Sequence, residues 1–374
     1  MSIQFVWCNS LSETLFPAQD YSKLLELIPE STPFNHIAWL QGAEQSLKAK
    51  QQLKILLGYD NNELVICLPL ILCAEKALGL PIKTLRHLGY PLSDRIALGV
   101  KANTDNFLGQ ALQEIRQKLS FSLIQFSEIT EQSAQASGLK QWQQQFWYSE
   151  ERLSCSAPVH KITEADRVEP SGNIRYKLRK ARNRANELPA QIERVAVTSE
   201  NVLEIIADIS EVERLSWKGD DGVGVFSGEQ RMKWMTTALT GFAETDNLRV
   251  LTMRHNDRCI SYRLGFLDKG RIYDYNLAFL PDYASLGSGR LLLDEWIQWG
   301  LDENWQYIDA SRVSLQDSSH QLHERCTEFI EHRRWTFYSM RPAGLFLGLS
   351  YKVWQLIKPL LQSKRLTKKG TKDE

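Results

Sequence analysis

Residues 271–311 constrain the fold more tightly than any other part of the chain, reading RIYDYNLAF, LPDYASLGSG, RLLLDEWIQWGLDEN and WQYIDAS in succession. The first piece alternates and is rich in β-branched and aromatic residues, the signature of a strand. The second places Gly287 and Gly289 around Ser288 and runs straight into apolar residues at 292, 293, 296, 297 and 299, which is helical spacing. A strand, a glycine loop, a helix and a further strand follow one another. Such a helix opens with unpaired backbone N–H groups and the positive end of its dipole, a place for a phosphate group.

The upstream sequence decides which nucleotide-type fold this is. NLRVLTMR (247–254) and CISYRLGF (259–266) alternate as strands, joined by His255, Asn256 and Asp257, and Asp268, Lys269 and Gly270 make the next tight turn. Three strands therefore form an antiparallel meander, and only the helix crossover after it can add a parallel neighbour. A Rossmann unit would be parallel throughout and carry a third glycine. A P-loop would need Lys and Ser or Thr after its glycine, where this chain has Arg290.

The order strand, helix, helix, three strands, helix, strand occurs twice, an internal repeat that predicts two similar lobes. The expected fold class is α/β (α+β with mixed sheet), two tandem lobes of mostly antiparallel sheet flanked by helices. The boundaries fall at 1–159, 160–345 and a basic amphipathic tail at 346–374, with the lobes joined around SAPVHKITEADRVEPSGN. At the position of the glycine loop the first half has GYPLSDRIALGVKANTDN instead, so the second lobe is expected to hold a cofactor and the first to shape an acceptor cleft.

With 45 Lys and Arg against 45 Asp and Glu, net charge argues for no anionic partner. Six scattered cysteines without C-x-x-C suit a reducing compartment. The start MSIQFVWCNSLSETLF has no basic region followed by an apolar core, and the longest apolar run, Leu64 to Ala74, is too short to span a bilayer. A cytoplasmic protein is expected.

The chain resembles the GNAT acyltransferase superfamily, and within it the two-lobed FemAB-like branch that includes acetyltransferases associated with cellulose and exopolysaccharide synthesis. The phrases that carry the resemblance are Leu88-Gly89-Tyr90 with Ser93-Asp94, IRYKLRKARNR, Glu213 with Trp217-Lys218, Tyr283 with the glycine loop, and Asp309. It implies acetyl-CoA or another acyl-CoA as co-substrate, no metal, and a pyrophosphate held by Leu286, Gly287, Ser288, Gly289 and Arg290. It also implies a backbone oxyanion site near the splayed end of the third meander strand, in the region Leu277 to Leu280, with Leu277 and Phe279 among the cofactor-binding residues. The amine nucleophile needs a base. Candidates are Asp274, placed by alternation on one strand face with Asn276, then Asp309 on the parallel strand and Glu213 beside Trp217; Tyr283 is a candidate to protonate the thiolate. The chain departs from the family after Asp309, where ASRVSLQDSSHQLHERC replaces a glycine and a Tyr-Lys pair.

The expected activity is N-acyl transfer to a saccharide, amino-sugar or related envelope compound. The alternatives are a non-catalytic pair of lobes that partners polysaccharide synthesis, and transfer of an aminoacyl group from tRNA. The basic run at 174–184 has no interleaved aromatics for base stacking, which argues against nucleic acid. His320, His323, Glu324 and Cys326 lack a second cluster to complete a zinc site. The tail sets Leu349, Val353, Leu356, Ile357, Leu360 and Leu361 among Lys352, Lys358, Lys364 and Arg365, a pattern for docking on the second lobe or for peripheral membrane contact.

Overall fold

The computed structural model describes residues 3–101, 106–315 and 320–370, of which 360–370 are described as backbone alone. The first lobe runs β1 (Gln4–Cys8), α1 (Ala18–Glu26), α2 (Ile37–Gln45), β2 (Gln51–Asp60), β3 (Glu63–Ala77), β4 (Leu80–His87), β5 (Gly99–Val100), α3 (Phe107–Lys118), β6 (Leu123–Thr130), α4 (Ala134–Gln143) and β7 (Tyr148–Lys161). The basic helix α5 (Gly172–Glu187) leads into β8 (Gln191–Val195), α6 (Val202–Arg214), the short α7 (Trp217–Asp220) and α8 (Glu229–Glu244). Then come β9 (Leu248–His255), β10 (Arg258–Asp268), β11 (Arg271–Phe279), α9 (Ser288–Asp302), β12 (Tyr307–Asp309), β13 (Glu328–Tyr338) and α10 (Pro342–Gly370).

The expected repeat is present. Strands β2, β3 and β4 form an antiparallel meander with β6 parallel to β4, and β9, β10 and β11 form another with β12 parallel to β11. All belong to one sheet of order β1-β2-β3-β4-β6-β13-β7-β12-β11-β10-β9-β8, with β5 beside β3.

At its centre each lobe lends a strand to the other. Strand β7 follows first-lobe helix α4 yet pairs with β12, and β13 closes the second lobe yet pairs with β6. The segment expected to be a joint between lobes thus begins as the end of a central strand, with Val159 opposite Asp309. Helices α2 and α8 press together on one face: a Cβ on Gly42 would lie 2.6 Å from Trp234 O, and one on Gly241 would lie 2.4 Å from Ala38 Cβ. Small residues permit that approach and let Trp39, Trp234, Phe34 and Phe266 share a core across the two lobes.

Strand β11 carries a bulge. Leu264 lies opposite Asn276 while Gly265 lies opposite Asp274, so Tyr275 is an extra residue. The neighbouring Gly265 is required by packing, because a Cβ there would lie 2.2 Å from the Trp296 ring of α9 and 2.6 Å from Tyr273 O. Gly265→Ala is expected to destabilise the protein by about 1–3 kcal/mol through overpacking, read as a lowered urea midpoint with an unchanged m-value.

Candidate functional site

Strands β11 and β12 pair over three positions only, from Arg271 with Tyr307 to Tyr273 with Asp309. Beyond that point β11 continues to Phe279 while the chain after β12 turns away. The divergence opens a cleft of about 360 Å³ lined by Trp217, Lys218, the β11 residues Asp274 to Phe279, Arg312, Val313, His320 and Gln321. Backbone direction follows from one bond: Leu280 N–H donates to Ile260 O of the β10 side at 2.9 Å. Because successive peptide groups of a strand point to opposite edges, Leu277 and Phe279 turn their N–H and C=O groups to the edge that β12 has left.

The bulge corrects one expectation. Asp274 and Asn276 do not share a face, since the extra residue between them breaks the alternation. Asp274 faces α9: its Oδ2 accepts from the buried Arg263 Nη1, and His320 Nε2 stands 3.3 Å from the same oxygen. Arg263 Nη2 in turn donates to Gly289 O at 3.0 Å and Gln321 Oε1 at 3.1 Å. His320 Nδ1 accepts from Leu322 N–H at 3.2 Å, which leaves Nε2 to carry the proton toward Asp274.

Asn276 faces α6. Its Nδ2 donates to Glu213 Oε2 at 2.6 Å and to Tyr262 OH at 2.8 Å, while its Oδ1 accepts from Lys218 Nζ. Glu213 also takes Phe226 N–H at 2.8 Å and is 1% exposed, so this carboxylate is enclosed by donors. Burial pushes the Lys218 ammonium down from its usual value, against the pull of Glu213, Asp274 and Asp94.

Asp309 is equally enclosed. Arg95, from the first-lobe loop, grips it with Nη1 at 2.6 Å and Nη2 at 2.8 Å, Arg271 Nη1 adds a contact at 2.9 Å, and Ser311 N–H another at 2.9 Å. Burial alone would push its carboxyl up; the charges of Arg95 and Arg271 and the bonds from Arg95 and Ser311 hold it below the usual carboxylate range. Tyr283 lies away from these groups, its ring 6.1 Å from that of His255.

The loop that carries Arg95 replaces the glycine loop in the first lobe, and it is tied down along its length. Leu92 O accepts from Tyr275 OH at 3.0 Å, Ser93 Oγ from Trp39 Nε1 at 2.8 Å, Arg95 O from Thr32 Oγ1 at 3.0 Å, and Ala97 O from Asn35 Nδ2 at 2.7 Å. This scaffold holds Asp94 where its charge is felt by Lys218, Tyr275 and Arg312, all of which line the cleft. Desolvation raises the Asp94 carboxyl to about 7; Arg312 opposes the rise and Glu128 adds to it. Asp94 and Lys218 thus stand beside the cleft, although neither is among the bases that the sequence suggests. The local sequence gives Asp94 no distinction beyond a place in GYPLSDR, because its neighbours come from Glu128 and Arg312 far along the chain.

At the glycine loop, Gly287 adopts φ +73, the left-handed turn that starts α9, and Ser288 and Leu286 are buried. Helix α5 packs over it: a Cβ on Gly287 would lie 3.5 Å from Ala181, and Arg184 donates to Ser285 O. Ion pairs hold α5 down, Arg182 to Asp294 at 2.8 Å and Lys177 to Glu324 at 2.6 Å. Arg290 is turned to the same Glu324, at 3.1 and 3.0 Å, and the Arg290 and Lys177 contacts pull that carboxyl down to about 2 against burial. Among the described residues no group of three or more His, Cys, Asp and Glu is placed to hold a metal ion. No helix of the described residues is long and apolar enough to cross a membrane.

Comparison with known proteins agrees with this fold. Residues 172–317 match the acetyltransferase (GNAT) domain family, a match that supports a transferase. Among solved structures it is similar to FemX, with TM-score 0.60 and 9% identity over 96% of this chain and 100% of that one. It is similar also to L-PGS from Bacillus licheniformis (TM-score 0.54, 12% identity, covering 88% of this chain and 95% of that one). A tandem GNAT protein from the clavulanic acid biosynthesis pathway gives TM-score 0.52 and 11% identity, covering 90% of this chain and 98% of that one. A comparison with curated protein sequences found no match.

Proposed function

We propose that the protein transfers an acyl group, acetyl in the first instance, from coenzyme A to an amine of a saccharide, amino-sugar or related envelope or exopolysaccharide compound. The observation that carries this reading is the open β11 edge, where the Leu277 and Phe279 peptide groups face a cleft whose wall residue Gln321 lies against Gly289 at the start of α9. Those peptide groups suit the amides of a pantetheine arm, and an N–H among them suits the oxyanion that develops on the thioester carbonyl. Leu286 to Gly289 would take the pyrophosphate, and Arg290 would have to share itself between that anion and Glu324. Asp94 is the base of this proposal: it takes the amine proton as the C–N bond forms, the C–S bond of the thioester breaks, and coenzyme A leaves as its thiolate, to be protonated by solvent.

A second cavity, of about 430 Å³, lies between the lobes and offers a place for the acceptor. Its walls include Glu75, Arg86, Tyr90, Gln230, Arg231 and Trp234, aromatic faces mixed with donors and acceptors, which suits a polyhydroxylated ring. Tyr90→Ala is expected to raise the acceptor KM about tenfold with little change in kcat.

Isothermal titration with acetyl-CoA tests the donor; absence of binding at high micromolar concentration overturns it. A panel of amino sugars followed by release of free thiol tests the acceptor. One observation favours a second reading: α5 covers the glycine loop, and the fold extends over the whole of FemX. In that reading the donor is an aminoacyl-tRNA, and salt-sensitive RNA binding through the exposed Arg179 and Lys180, without acetyl-CoA binding, would select it.

A further inference from the structure

Among the described residues α10 is held to the body along its first turns, as far as Lys352, whose Nζ lies 5.4 Å from the Trp147 ring and 4.7 Å from that of Tyr148. Gly344 and Gly348 lie against the body, where a Cβ would come within 2.4 Å of Ser339 O and 2.6 Å of the Trp147 ring, and Tyr351 OH accepts from Arg152 Nε at 2.8 Å. From Lys352 to Pro359 every residue is exposed, among them Val353 at 52%, Trp354 at 49%, Leu356 at 74% and Ile357 at 41%. Phe346 and Leu349, at 44% and 55%, continue the same stripe toward the base. At about 100° per residue these six side chains cover an arc of about 160°, pointing away from the glycine face, and Lys352 and Lys358 flank it at about 120° on either side.

That geometry selects among the surfaces that could cover the stripe. The residues at 346, 349, 353 and 356 would fill a coiled-coil seam, but a seam that narrow leaves Trp354 and Ile357 in water. A planar apolar medium accepts the whole arc, and flanking lysines reach anionic groups at its border. Charge agrees: after residue 341 the chain carries seven Lys and Arg against two Asp and Glu, although the whole chain is balanced. The side chains of Leu360, Leu361, Lys364 and Arg365 lie outside the described residues.

We propose that α10 is a surface-seeking arm that lays its Phe346 to Ile357 face into an anionic lipid bilayer, holding the transferase at the membrane without crossing it. The test is co-sedimentation of the full chain with phosphatidylglycerol/phosphatidylcholine vesicles and with phosphatidylcholine vesicles alone. The expected result is binding to the anionic vesicles at least about tenfold tighter than to the neutral ones, weakened by 0.5 M salt. Val353→Gln/Leu356→Gln/Ile357→Gln is expected to abolish sedimentation with an unchanged thermal melt, since all three side chains are exposed. Lys352→Gln/Lys358→Gln is expected to lose the preference for anionic lipid. Failure to sediment with either vesicle overturns the proposal. So does a chain that is dimeric by light scattering and becomes monomeric in the triple variant without having bound lipid. Neither outcome bears on acetyl-CoA binding.

Discussion

Replacing Asp309 with alanine is expected to lower stability by about 3–5 kcal/mol, the cost of leaving a buried guanidinium without its counter-ion. The carboxylate is 0% exposed and Arg95 5%, so neither charge can fall back on water. The contact is also the tie between lobes: Arg95 stands on a first-lobe loop and Asp309 ends the second-lobe strand β12, next to Val159 of the exchanged strand β7. Arg95 Nε meets His332 Nε2 at 2.8 Å on β13, so the same guanidinium touches both sides of the midline. A pH dependence follows. The folded carboxyl is held below its ordinary range, so its contribution is present above the unfolded carboxylate pKa near 4 and is lost as pH falls through the lower folded value. Urea unfolding of Asp309→Ala at pH 7 and pH 3 checks both: the deficit is expected at pH 7 and to shrink at pH 3. Arg95→Met combined with Asp309→Leu is expected to recover much of the loss, because the burial cost of both ions is removed together. An unchanged urea midpoint in Asp309→Ala would show the clamp to be dispensable.

How much of this was legible in the chain depends on how local its cause was. The meander, the glycine loop and α9 could be read because alternation, tight-turn residues and helical spacing each act over a few residues. The repeat could be read for the same reason. Strand β13 could not: EFIEHRRWTFY alternates charge with apolar residues like an exposed edge, yet its Trp335 and Phe337 are fully buried and its partners lie some two hundred residues earlier. The exchange of β7 and β13 is a long-range pairing with no local marker. The bulge at Tyr275 likewise lies beside Gly265 on the adjacent strand, which Trp296 approaches from above, and it reverses the placement of Asn276 relative to Asp274. The candidate acids were recognisable as residues, but their partners were not. Glu213 and Asp309 turn out to be enclosed by donors drawn from elsewhere in the chain, whereas Asp274 is paired through Oδ2 alone and its Oδ1 is buried without a partner.

Asp94→Asn is expected to reduce kcat for acyl transfer by about 10²–10⁴-fold, the loss that follows removal of a positioned general base. The reasoning is one of availability. Asp309 accepts from Arg95, Arg271 and Ser311, and Glu213 from Asn276 and Phe226, so a proton from the acceptor would have to displace one of these; Asp274 pairs through Oδ2 with Arg263 and His320, and its Oδ1 is buried without a hydrogen-bond partner. Asp94 instead has its carboxyl raised to about 7 by desolvation, within reach of the charges on Lys218 and Arg312 at the cleft wall. A base must be ionised to accept, so kcat is expected to rise with pH through about 7 and then level off, where a solvated aspartate would be fully active from about pH 5. In Asp94→Asn that ascending limb is expected to vanish together with the rate, while acetyl-CoA affinity stays within about twofold. Stability separates catalysis from folding. A carboxyl raised in the fold costs stability as pH climbs from its unfolded value to about 7, so the uncharged variant is expected to melt no lower than the parent at pH 8. A variant that keeps the limb, or that loses activity only through acceptor KM, would assign the proton transfer to another group and leave Asp94 a positioning residue for Arg312.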